Sequence, residues 1–101
     1  MTVIVIGRFQ ADVARLEQAF VTQKQTFLDV SADAKTKGAT HHQFGAGADG
    51  EVVIIDEWPD AATFETFFAN QQDIPKVMAE VGVTAPPVFE ILRQLDSPDR
   101  F

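Results

Sequence analysis

The residue types best suited to chemistry cluster in one short stretch of this chain. His41 and His42 are adjacent, and Asp56, Glu57 and Trp58 follow them closely. A histidine beside a carboxylate can act as a general base, because imidazole titrates near neutral pH and the carboxylate can hold it in one tautomer. We therefore take His41, His42 and Asp56 as candidate catalytic residues. For Asp56 and for Glu57 the alternative to a catalytic role is a structural ion pair.

Strand geometry prevents the two histidines from serving one site, because neighbouring side chains of a β-strand point to opposite faces. One hairpin register pairs His42 with Ile54 and places His42 on the face of Asp56 and Trp58. A second register pairs His41 with Asp56 instead. The sequence leaves both registers open. In either register, the alternative to a catalytic histidine is one that only makes structural hydrogen bonds in the strand.

The elements that would position these residues follow from hydrophobic periodicity and turn signals. Asp12 and Asp60 are suited to cap helices, and Ser31 is a point where the first helix can be interrupted. The predicted elements are a strand over 2–9, a helix over 13–37, strands over 39–46 and 51–58 joined by a turn over 47–50, helices over 61–68 and 74–81, and a strand over 88–95.

This order predicts an α+β, ferredoxin-like βαββαβ fold with a four-stranded antiparallel sheet in the order 4-1-3-2. The domain is expected to span residues 1–95, with a C-terminal tail over 96–101. Helices would cover one face of the sheet and leave the other, which carries many apolar residues, open to water. We therefore predict a homodimer in which two such sheets pack together into a β-barrel.

Composition excludes several classes of function. The net charge of −7 argues against binding to nucleic acid or to a membrane surface. There is no cysteine, so thiolate chemistry and cysteine-ligated metal sites are ruled out. No zinc motif and no phosphate-binding glycine loop occurs, so we predict neither a metal site nor a cofactor. A flavin or haem held by shape alone remains an alternative, and a cytoplasmic location is expected by default.

The segment Val52-Val53-Ile54-Ile55-Asp56-Glu57-Trp58-Pro59-Asp60-Ala61-Ala62-Thr63-Phe64 resembles the antibiotic-biosynthesis-monooxygenase-like domains of the dimeric α+β barrel superfamily. The shared pattern is an apolar strand, an acidic residue, tryptophan, polar residues and a helix that begins with small and aromatic residues. The resemblance implies the barrel fold. It also places Trp58 in a pocket between the sheet and the helices.

Members of this superfamily include cofactor-independent oxygenases of polycyclic aromatic or quinol substrates, and haem-degrading enzymes. The haem-degrading branch has an Asn near the end of the first strand, where Gly7 stands here, and a His on the helix after the tryptophan. The segment 61–81 contains no His. The resemblance therefore favours a monooxygenase-like enzyme over haem degradation.

Aromatic residues and one further acid complete the predicted site. Phe64, Phe67 and Phe68 lie on one helical face and would bind an apolar or aromatic ligand with Trp58, although core packing alone also explains them. Glu90 alternates with apolar residues of the last strand on the open side of the sheet, where an intersubunit salt bridge is the alternative. A non-catalytic ligand-binding or stress-associated dimer, and a structural dimer with a filled cavity, are the alternative functions.

Overall fold

The computed structural model describes all 101 residues. Four antiparallel strands form one sheet in the order β2-β3-β1-β4, which is the predicted order read from the other edge. The predicted α+β ferredoxin-like fold is therefore confirmed. The elements are β1 (Val3–Gln10), α1 (Val13–Thr22), α2 (Lys24–Thr36), β2 (His41–Ala46), β3 (Glu51–Trp58), α3 (Ala61–Asn70), α4 (Asp73–Glu80) and β4 (Val88–Arg93).

Both predicted helix caps are present. The Asp12 carboxylate accepts from the Arg15 N–H at 3.1 Å, and the Asp60 carboxylate accepts from the Thr63 N–H at 2.7 Å. Hydrogen bonds from the side chain and the backbone of Thr63 lower the pKa of Asp60. Each cap satisfies an N–H group at the start of a helix that would otherwise lack a partner.

The first helical region breaks at Gln23, so the prediction of one helix with an interruption at Ser31 was wrong. The β-branched residues Val21 and Thr22 end α1, where their restricted χ1 angles weaken helix formation. The Gln23 side chain then donates to the carboxylate of Glu80, at the end of α4. This contact joins the residue at the break to a segment that is distant in the sequence.

The end of α2 is tied to the residue that follows α3. The Asp33 carboxylate accepts from Lys37 Nζ at 2.6 Å and from Gln71 Nε2 at 3.0 Å. These hydrogen bonds, that from Lys37 first, lower the pKa of Asp33. Asp33 thus links two of the helices that cover the sheet.

The β2–β3 hairpin turns at Asp49-Gly50, as predicted. Both residues have positive φ angles, 57° and 80°, and the Glu51 N–H donates to the Ala48 carbonyl at 3.1 Å. His42 pairs with Asp56, so both predicted registers were wrong. The turn is centred on Asp49, and the pairing is shifted by two residues from the first predicted register. That even shift leaves His42 on the face of Asp56.

Side-chain alternation along the central strand β1 defines the two faces of the sheet. Val5 and Phe9 are buried beneath the helices, whereas Ile4, Ile6 and Arg8 point to the opposite face. Two hydrophobic clusters fill the space between sheet and helices, one around Phe9, Leu16 and Val52 and the other around Val5, Trp58, Phe64 and Phe67. The opposite face has no covering layer within this chain.

Candidate functional site

A histidine, a carboxylate and an indole form one hydrogen-bonded chain at the helix-facing side of the sheet. His42 Nδ1 lies 2.7 Å from Asp56 Oδ1, and Trp58 Nε1 donates to Asp56 Oδ2 at 3.2 Å. The register places His42 beside Asp56 across the β2–β3 ladder, and alternation places Trp58 two residues further along the same face.

The burial of the three side chains falls steadily from one end of this chain to the other. The Trp58 residue is 1% exposed, whereas the side chains of Asp56 and His42 are 14% and 42% exposed. Asp56 therefore lies mostly out of water with both of its oxygens occupied, as a buried carboxylate requires. His42 lies at the outer end, where it can exchange protons with the surroundings.

The hydrogen bond determines which nitrogen of His42 can act as a base. An ionised carboxylate only accepts hydrogen bonds, so Nδ1 must carry a proton to bond to Asp56. In neutral His42 the other nitrogen, Nε2, then holds the free electron pair. The pair has the arrangement of a general base whose tautomer is set by a carboxylate.

These residues line a cavity of about 130 Å³ between the sheet and the helices. Eighteen of its 25 lining residues are hydrophobic. Trp58, Phe64, Phe67 and Phe68, all predicted as ligand-binding residues, line this cavity together with His42 and Asp56. The His42–Asp56 pair thus lies at the wall of a largely apolar space, whose other polar side chains are Thr26, Ser31 and Asp73. A few polar groups in a mainly apolar lining are typical of a small-molecule site.

Two predicted site residues lie on the opposite face and do not line this cavity. His41 pairs with Glu57 across the hairpin, on the side away from the helices. Glu90 accepts from Arg8 at 3.2 Å, and both side chains are about half exposed. Glu90 thus has a salt-bridge partner within its own chain, a contact of the kind that adds about 0–1 kcal/mol to stability.

Four aromatic residues of the cavity wall, Phe9, Phe27, Phe44 and Phe89, were missing from the predicted site. Phe44 packs edge-on against His42, with ring centroids 5.1 Å apart, and Phe89 packs against Phe64 at the same separation. Strand alternation was the signal that could have found Phe44, since it lies two residues after His42. The same alternation placed Phe89 on the helix-facing side of β4, because its neighbour Glu90 lies on the open side. Only the pairing of β4 with β1 shows that Phe89 lies beside Gly7.

The environment of Gly7 bears on the haem-degrading alternative. A Cβ atom at Gly7 would lie 2.9 Å from Phe89 Cε1, so the ring of Phe89 occupies the space that an Asn side chain would need. The residues around Gly7 therefore do not fit the haem-degrading chemistry.

No group of three or more His, Asp or Glu side chains is placed to hold a metal ion. No helix is both long and apolar enough to cross a membrane.

Known structures share this fold, although no protein-family model and no curated protein matches the chain. SnoaB, a cofactor-independent oxygenase from Streptomyces nogalater, superposes with a TM-score of 0.65 at 17% identity over 98% of both chains. Rv0793 from Mycobacterium tuberculosis superposes with a TM-score of 0.60 at 19% identity, over 98% of this chain and 100% of its own. An antibiotic biosynthesis monooxygenase gives a TM-score of 0.60 at 14% identity, over 94% of this chain and 99% of its own. The chain thus has the α+β fold of antibiotic-biosynthesis-monooxygenase-like proteins, as the resemblance of residues 52–64 predicted.

Proposed function

We propose that this chain is a cofactor-independent, monooxygenase-like enzyme that binds an aromatic substrate in the apolar cavity. The observation that carries the proposal is the 2.7 Å contact between His42 Nδ1 and Asp56 Oδ1 at the cavity wall. Similarity of fold to SnoaB, itself a cofactor-independent oxygenase, supports it. Fold alone does not define a reaction, so the argument depends on the site.

In this proposal His42 Nε2 takes a proton from the substrate, and the ion pair with Asp56 stabilises the resulting imidazolium. The deprotonated substrate is electron-rich and transfers its electrons to molecular oxygen. For a CH₂ centre the balance is CH₂ + O₂ → C=O + H₂O, so the substrate is the only reductant that is needed. Trp58 and the phenylalanine side chains hold the aromatic ring by packing.

Oxygen uptake with a panel of quinols and anthrones tests this role. His42→Ala should lower turnover by about 10²–10⁴-fold, the usual contribution of a general base. His41→Ala is the matched control, because the neighbouring histidine points to the other face and does not line the cavity. Equal turnover in both variants and in the wild type would remove His42 from the mechanism.

One observation favours a non-catalytic ligand-binding protein as the second candidate. The His42 side chain is 42% exposed, so water reaches the base and can quench a reactive anion formed beside it. Ligand binding without oxygen uptake by any member of the panel would support this candidate.

We also propose that the working form is a homodimer, with the open sheet face of each chain covered by its partner's. Ile4, Ile6, Val53 and Ile55 form an apolar patch at the centre of this face and are each only half-buried in the single chain. Light scattering at micromolar concentration should give twice the mass of the chain. Ile55→Glu should give a monomer, whereas Val21→Glu, a charge placed at an exposed helix position, should leave the dimer intact. A wild-type monomer would contradict the proposal.

A further inference from the structure

The size of the cavity restricts its occupant more sharply than the fold does. An apolar cavity of roughly 150 Å³ accommodates one benzene molecule, and pockets for larger ligands usually exceed about 300 Å³. The cavity here measures about 130 Å³. We propose that it binds a compact, uncharged, one-ring phenol and excludes fused polycyclic molecules. The inference rests on the proposed function only in calling this ligand a substrate.

The wall is built so that it resists expansion. Trp58 packs against Phe67 and Phe64 with ring centroids 4.9 and 5.7 Å apart, and Phe89 packs against Phe64 and Phe68 at 5.1 and 4.9 Å. Each ring is therefore held by at least one neighbouring ring. A second fused ring in the ligand would have to displace several of them together, and interiors packed in this way resist added volume.

The polar end of the cavity selects for a hydroxyl group. Asp56 occupies His42 Nδ1, so in neutral His42 the free electron pair is on Nε2, which can accept a phenolic O–H. The remaining charged group in the lining is another carboxylate, Asp73, and the lining contains neither Lys nor Arg. A ring acid such as benzoate would bring its charge beside carboxylates without a cation to compensate it, so a neutral phenol is favoured.

The single tryptophan provides a direct assay of binding. Trp58 contributes the only indole N–H signal in a proton–nitrogen NMR spectrum, and its ring lines the cavity. Phenol should shift this signal in a saturable manner. Naphthol should bind about tenfold more weakly or worse, because it must force packed rings apart, and phenanthrol and benzoate should leave the signal unchanged. Binding of naphthol or phenanthrol as tight as that of phenol would overturn the inference, and so would an absence of phenol binding.

A cavity-enlarging variant tests whether this wall sets the limit. Phe68→Ala should raise the affinity for naphthol relative to phenol by about tenfold, because it removes a half-buried ring from the lining. Leu28→Ala is the control, since it shortens a half-exposed apolar side chain that does not line the cavity, and it should leave the ratio unchanged. Phe68→Leu serves the same purpose if the alanine variant does not fold. An unchanged ratio in the folded Phe68 variant would refute the size limit.

The failure of this inference can be distinguished from that of the proposed function. Phenol binding without oxygen uptake by any substrate would refute the enzyme and leave the size limit standing. Oxygen uptake with a three-ring anthrone, accompanied by tight binding of that anthrone, would refute the size limit and support the enzyme.

Discussion

Replacing Asp56 with Asn should move the proton of neutral His42 from Nδ1 to Nε2. In the wild type the carboxylate accepts from His42 Nδ1 at 2.7 Å and from Trp58 Nε1 at 3.2 Å. Asn offers one accepting oxygen and a donating NH₂ group in their place. Two donors would therefore compete for a single oxygen.

Burial decides this competition. Trp58 is 1% exposed and its N–H can only donate, so leaving it unpaired costs about 1–3 kcal/mol. The His42 side chain is 42% exposed, and either of its nitrogens can carry the proton. The Asn oxygen should therefore face Trp58, and its NH₂ group should donate to His42 Nδ1.

The size of the effect follows from the hydrogen bond that is lost. A hydrogen bond to a charged group contributes about 1.5–3 kcal/mol, and the lower end of this range applies because His42 is half exposed. A free-energy difference of about 1.5 kcal/mol favours the Nδ1–H tautomer of wild-type His42 roughly tenfold. In Asp56→Asn the preference should reverse. Since Nε2 then carries a proton, the general-base contribution of about 10²–10⁴-fold to oxygen uptake should be lost.

The tautomer can be measured without a substrate, from the imidazole nitrogen shifts at a pH where His42 is neutral. His41 is an internal reference, because it lies on the other face and should not respond. If His42 keeps the Nδ1–H tautomer in Asp56→Asn, or already has the Nε2–H tautomer in the wild type, then Asp56 does not orient it. A folded variant with full oxygen uptake would refute the catalytic role of the pair.

Two further predictions concern stability. The hydrogen bonds of Asp33 lower its folded-state pKa below the ordinary value of 3.8, so its contribution to folding stability is present above that value and is lost as the pH falls through the folded-state pKa. Asp33→Asn should therefore lower the Tm at neutral pH but not in strong acid. An equal fall in Tm at both pH values would contradict this. Gly7→Ala should lower the free energy of unfolding by about 1–3 kcal/mol, because the new methyl group would lie 2.9 Å from the packed ring of Phe89. Chemical denaturation measures this loss. Gly45→Ala meets no atom closer than 3.9 Å and is the control; equal stability of the two variants would show that the ring yields.

Much of the fold could be predicted because its signals are local. Asp12 and Asp60 precede apolar helical stripes and cap them, and the Asp49-Gly50 pair readily adopts the positive φ angles that the turn requires. Strand alternation likewise separated His41 from His42 before any register was known. The break at Gln23 was missed although the β-branched pair Val21 and Thr22 precedes it, and its contact with Glu80 joins segments that are distant in sequence.

The sequence by itself determined the order of strands and helices, the open apolar face and the rule that only one histidine can join Asp56. Each depends on the period of side chains along one element or on the chemistry of one turn. The tertiary structure alone decided that His42 is that histidine, that Asp56 also accepts from Trp58, and that both His42 and Asp56 line an apolar cavity of about 130 Å³. These features depend on the register between strands and on how side chains from separate elements fill shared space, which no local pattern encodes.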